Sequence, residues 1–121
     1  MGATSPSSLM VGLSRKYGDL MYDIRSRIPL IAAVCRELHV ARLDLFGSAT
    51  TPEFRDDSDL DFLVEFEPGY PDLLGRFLAL KERLESILSR KVDLVSRKGV
   101  RNPYFLDGIE KTRLNVFSSQ T

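Results

Sequence analysis

Two apolar runs separated by a polar gap constrain this chain more than any other feature. Leu43-Asp44-Leu45-Phe46 ends in Gly47-Ser48, and nine residues later Ser58-Asp59-Leu60-Asp61 opens a second run that continues to Phe66. Both runs alternate. From Val40 to Phe46, Ala41, Leu43 and Leu45 fall on one face and Arg42 and Asp44 on the other. From Asp59 to Phe66, Leu60, Phe62, Val64 and Phe66 face a core, while Asp59, Asp61, Leu63 and Glu65 face away from it. A period of two marks half-buried strands. Asp59 and Asp61 therefore project from the same face and reach one site.

The chemistry of these residues narrows the reading. Gly47-Ser48 is a small turn with a hydroxyl and backbone N–H groups, suited to holding phosphate oxygens. Paired carboxylates are hard oxygen donors that suit Mg²⁺ carrying a nucleoside triphosphate. A Gly-Ser turn alone is usually only a turn, and Ser-Asp before an apolar run is often only a strand entry. Joined at this spacing, with both flanks apolar, they read as a nucleotidyl-transfer site.

The rest of the chain supplies a frame around the two strands. Ile24, Ile28, Ile31, Cys35 and Leu38 recur at helical steps, and Pro29 suits a first turn, so a helix is expected from about Ser26 to Leu38. A further helix is expected over Leu9 to about Arg25, after a small polar N-terminal stretch. Thr50 to Asp57 is a loop in which Asp56 and Asp57 read as solvated acids and Arg55 as a solvent-exposed charge, with a phosphate contact as its second reading. Asp72 caps the next helix, with Leu73, Phe77, Leu80, Leu84 and Ile87 on its buried stripe. Val92 to Val95 is a third strand, Gly99 to Pro103 a turn, and Tyr104 to Phe117 a last helix with Phe105, Ile109 and Leu114 turned inward. That order gives an α+β (α/β) domain with a small mixed sheet. The expected division is a flexible tail or short helix over residues 1–20 and one domain over 21–121.

Composition excludes several classes. Seventeen basic and seventeen acidic residues cancel, which argues against general nucleic-acid binding. The single cysteine, Cys35, lies among apolar neighbours and reads as a buried structural thiol. His39 follows the helix end and reads as a last-turn residue. Arg97, Lys98, Arg101, Tyr104 and Phe105 mix basic and aromatic types, as a base or a protein partner would need and as a surface turn would also show. No apolar run approaches the ~20 residues that span a bilayer, and none resembles a signal-peptide core, so a cytoplasmic protein with no membrane partner is expected.

The stretch LFGSATTPEFRDDSDLDFLVEF resembles the signature of the nucleotidyltransferase superfamily related to DNA polymerase β. It is most similar to the small branch called minimal nucleotidyltransferases, the antitoxin partners of HEPN toxins, and the likeness spans about Arg27 to Phe117. That family follows Gly-Ser and Asp-x-Asp with a third carboxylate on a later strand, which the resemblance places at Asp93 in Lys91-Val92-Asp93-Leu94-Val95. Many members carry Arg-Gly where this chain has Thr51-Pro52. The resemblance implies a polymerase β-like fold and two Mg²⁺ ions held by Asp59, Asp61 and Asp93, with Gly47 and Ser48 on the phosphates of ATP. It further implies transfer of AMP to a hydroxyl, a tyrosine of a cognate HEPN toxin, within a type VII-like toxin–antitoxin pair. So short a chain leaves the acceptor site to a partner, which favours a protein target. Two other readings stand beside this one: a module that neutralises its partner by contact alone, and an antibiotic-type transferase acting on a small molecule. Three acids in one site without metal repel one another and raise at least one carboxylate pKa.

Overall fold

The computed structural model describes residues 22–47, 59–99 and 102–119. Expectations for Ser48, Thr51-Pro52, Arg55, Asp56, Asp57 and Arg101, and for the N-terminal stretch through residue 21, fall outside them. The elements are α1 (Ile28–Glu37), β1 (Val40–Phe46), β2 (Leu60–Phe66), α2 (Leu73–Leu88), β3 (Val92–Ser96), α3 (Pro103–Thr112) and β4 (Leu114–Ser118). A helical stretch at residues 22–26 precedes α1, and a single 3-10 turn, Arg97–Gly99, follows β3.

The four described strands form one sheet in the order β3-β2-β1-β4. β1 pairs antiparallel with both β2 and β4, and β2 pairs parallel with β3, so the sheet is mixed as expected. A parallel neighbour needs a crossover, which α2 provides.

Period two decides which residues enter the core. Leu60, Phe62 and Val64 of β2, Leu43 and Leu45 of β1, and Val92 and Leu94 of β3 pack under α1 and α2. From α1 come Ile31, Ala32, Val34 and Cys35, and from α2 Leu80, Leu84 and Leu88, one turn apart. Truncating one of the fully buried leucines, such as Leu84, costs about 2–5 kcal/mol in lost transfer energy and cavity. Arg27 Nε donates to the Ile87 carbonyl at 2.9 Å, tying the start of α1 to the end of α2.

Several boundaries differ from the sequence reading, each for a physical reason. The β1–β2 register shifts between Val40 and Arg42, and this bulge puts Val40 in the core where strict alternation put Ala41. Asp72 does cap α2, accepting a hydrogen bond from the Gly75 N–H at 3.1 Å. Leu73, however, is 46% exposed, because the stripe meets the core only from Phe77 onward. The segment expected as one helix over Tyr104 to Phe117 is a ten-residue helix followed by β4. Edge pairing with β1 overrides the helical spacing, and it turns Leu114 out to 42% exposure while Val116 and Phe117 enter the core.

Candidate active site

The face of the sheet turned away from α1 and α2 carries the polar chemistry. Register places Phe46 of β1 opposite Asp61 of β2, and Asp61 beside Asp93 of β3. Adjacent strands lie ~4.8 Å apart, so these two carboxylates are neighbours. Asp59 immediately precedes β2, two residues from Asp61, and is exposed. Asp61 is half-buried, and burial followed by the charges of Asp93 and Asp59 pushes its pKa up to about 6. The two acids of the Asp-x-Asp pair and the acid of the third strand thus meet at one end of one face.

Gly47 closes that end. Its φ of +79° lies in the left-handed region, and a Cβ there would stand 2.5 Å from Asp61 Oδ2. Only glycine lets the turn after β1 press against the acid. Among the described residues no set of three acidic, histidine or cysteine side chains is drawn together tightly enough to be a ready-made metal cage. The donor chemistry nonetheless fits a hard cation. Three carboxylates that repel one another across this end, with no basic partner among the causes of the Asp61 shift, are what a divalent ion neutralises.

The other end of the same face holds a constellation that the sequence reading did not identify. Asp44, on β1, is 1% exposed. Arg42 Nε donates to both its oxygens, at 3.1 and 3.0 Å, and Asn115 Nδ2 donates to Oδ1 at 2.9 Å. Arg113 Nε stands 3.5 Å from Oδ2. The Arg-x-Asp spacing on β1 already placed Arg42 and Asp44 on one face, whereas Arg113 and Asn115 arrive only through the β1–β4 pairing. Between the two ends, Phe46, Leu63 and Ile109 of α3 form a small second apolar cluster, with Val95 against it.

The remaining candidates separate cleanly. Glu65 is exposed, as expected, and stands beside Arg42, Arg97 and Arg113 around one cavity. Cys35 is fully buried, with its thiol pushed up to about 12 by burial, and is a core residue. His39 ends α1 in a left-handed conformation and stacks on Tyr70, ring centroids 3.7 Å apart. Tyr104 is 87% exposed, and Lys98 lines a different cavity from Arg97. No helix among the described residues is long and apolar enough to cross a membrane.

This geometry has relatives. Protein adenylyltransferase MntA of Thermococcus cleftensis is 41% identical over 75 residues, covering 62% of this chain and 69% of that protein. A solved structure described as a "putative minimal nucleotidyltransferase" aligns with a TM-score of 0.64 at 34% identity, over 74% of this chain and 89% of its own. The same fold occurs in a complex described as tri-AMPylated Shewanella oneidensis HEPN toxin with MNT antitoxin, with a TM-score of 0.57 at 19% identity, over 80% of this chain and 74% of that one. The model of the family described as nucleotidyltransferase domain matches residues 28–116, from the first turn of α1 into β4 and across every carboxylate described above. The chain belongs to the nucleotidyltransferase domain family.

Proposed function

We propose that this nucleotidyltransferase moves AMP from ATP to a hydroxyl of a protein, a tyrosine of a cognate HEPN-type toxin, and thereby acts as an antitoxin. The observation that carries the reading is the register that sets Asp61 beside Asp93, with the Gly47 turn pressed against Asp61. Support for a protein acceptor comes from the relative named protein adenylyltransferase and from the like-folded antitoxin bound to an AMPylated toxin. A further like-folded complex is described as a toxin–antitoxin with AMP-PNP, which favours ATP as donor.

Asp59, Asp61 and Asp93 would hold Mg²⁺, which supplies charge neutralisation and acidifies a bound hydroxyl. The remaining steps fall to the chain's own groups. The turn at Gly47, with the Ser48 hydroxyl, holds the β- and γ-phosphates at the end of β1. The acceptor oxygen attacks the α-phosphorus, the bond to the β-phosphate oxygen breaks, and pyrophosphate leaves. Asp93, on the neighbouring strand, takes the acceptor's proton on a carboxylate oxygen.

The test is label transfer from α-labelled ATP with Mg²⁺ in lysate of the source cell, comparing wild type with Asp59→Ala/Asp61→Ala. A single labelled protein band that depends on the acids is expected, with a loss of at least about 10³-fold in the double variant. Equal labelling, or none from either protein, would leave neutralisation by contact as the better account.

A further inference from the structure

The Asp44 end of the acid face encloses a cavity of about 220 Å³ lined by Arg42, Asp44, Leu63, Glu65, Arg97 and Arg113. Its charge is organised rather than scattered. Asp44 is buried and receives Nε of Arg42 and the Asn115 amide, with Arg113 Nε beside it, so the carboxylate fixes the guanidinium of Arg42 by its inner edge. Among the described residues, the terminal nitrogens of Arg42 have no partner, and neither does the side chain of Arg97. Three guanidinium groups against two carboxylates leave the cavity one positive charge in excess, with Arg42 held in place by Asp44 before anything binds and Arg97 beside it. Pre-oriented guanidinium edges are matched to the paired oxygens of a carboxylate or phosphate.

Position says which molecule would carry such a group. The cavity lies at the end of the face away from Gly47, where β1 begins and β2 ends. The phosphates of a nucleotide held by the Gly47 turn lie at the opposite end, and the nucleoside itself carries no charge. Leu63 and Glu65 stand ~7 and ~13 Å along β2 from Asp61, and the ridge of Phe46, Leu63 and Ile109 rises between. A small acceptor does not span that ridge, whereas a folded protein does.

We propose that this cavity is an oxyanion subsite that anchors the acceptor through a carboxylate or phosphate placed roughly 7–13 Å from the hydroxyl being modified. Its role as an acceptor anchor rests on the nucleotidyl-transfer reading, whereas anion binding in the cavity does not. Arg97 and the outer edge of Arg42 make the contact, and Asp44 is a positioning residue that acts through Arg42.

The full-length protein is titrated with inorganic phosphate, and separately with acetate, in EDTA, while the Nε–Hε signals of Arg42, Arg97 and Arg113 are followed by NMR. Saturable shifts are expected, unchanged in Asp59→Ala/Asp61→Ala and weakened about tenfold in Arg97→Gln, with partial recovery in Arg97→Lys. Arginine signals that move with neither probe would overturn the subsite. In the labelling assay, Arg97→Gln should raise the acceptor KM about tenfold with kcat retained, and an unchanged KM would overturn the acceptor role even if the anions bind. An absence of labelling by wild type would remove the transfer reading and the acceptor role together, and the EDTA titration would still decide whether the cavity binds anions.

Discussion

Asp44 and Asp61 stand on the same face of the same sheet, on adjacent strands, and they live by opposite rules. Asp44 is almost wholly buried and surrounded by donors from Arg42, Arg113 and Asn115. Asp61 is less buried, has no hydrogen-bond or ion-pair partner among the described residues, and faces Asp93 and Asp59 instead. One carboxylate is compensated by the fold, and the other is set among like charges. A buried acid with its partners in place is a structural element. A half-buried acid among like charges is one whose ionised form costs stability until something neutralises it.

The comparison is broken most forcefully at Asp44. Asp44→Ala takes the shared acceptor from Arg42, Arg113 and Asn115, side chains that water still reaches, and is expected to cost about 2–3 kcal/mol. Against the 5–15 kcal/mol typical of whole domains, that is a large share. Urea denaturation at pH 7 measures it, with or without Mg²⁺. A loss below about 1 kcal/mol would show that the arginines are satisfied by water and that Asp44 positions nothing.

Gly47 tests the other end. Gly47→Ala places a methyl against Asp61 Oδ2 in a backbone conformation with positive φ, at an expected cost of about 1–2 kcal/mol in stability. Label transfer should fall much further than stability, because the turn and the acid must both shift to accept the methyl. Proportionate losses in the two measurements would mean that the contact serves the turn alone.

The two ends of the polar face differ in how far local spacing reveals them. Asp59 and Asp61 are two residues apart on one strand, so period two was enough to put them on one side, and the third-strand acid needed only one parallel pairing to join them. The Asp44 constellation depends on Asn115 and Arg113, about seventy residues away along the chain, and on a fourth strand that the sequence disguised as helix. Phe105, Ile109 and the apolar residues after them keep a spacing that a helix would also show. What makes Leu114–Ser118 a strand is the free edge of β1, a tertiary fact. The bulge at Val40 is of the same kind: alternation along β1 is right from Arg42 onward and fails only where the partner strand adjusts.

Asp61→Asn should act opposite to Asp44→Ala in the metal-free protein, raising stability at pH 7 by about 1–2 kcal/mol. The pH dependence carries the sign. Because the folded carboxyl titrates near 6 and the unfolded one near 4, the native state holds the extra proton between those values. Wild type therefore loses stability relative to Asp61→Asn as pH rises through that window. Added Mg²⁺ at pH 7 should stabilise wild type and leave the variant nearly unmoved. Denaturation curves from pH 4 to 7, wild type minus variant, test this, and a difference that is flat with pH would show that Asp61 has another compensating partner.

The smallest effect concerns how the core side places the third acid. Glu85, on α2, accepts the Val92 backbone N–H at 3.0 Å and the Lys81 ammonium at 3.1 Å. The Val92 hydrogen bond, followed by that to Lys81, holds its carboxyl below the usual range. The stabilisation is present above the unfolded pKa and is lost as pH falls through the folded one, opposite in sign to Asp61. Val92 opens β3 one residue before Asp93, so this bond fixes the end of the strand from which Asp93 projects. Glu85→Gln keeps the acceptor oxygen but removes the charge. It should speed hydrogen exchange at the Val92 amide severalfold and change overall stability little. Transfer should fall modestly, with the acceptor step affected more than ATP binding. An unchanged exchange rate at Val92 would show that the pairing of β3 with β2 positions Asp93 without help from the helix, and that the acid end of the face owes its geometry to the sheet alone.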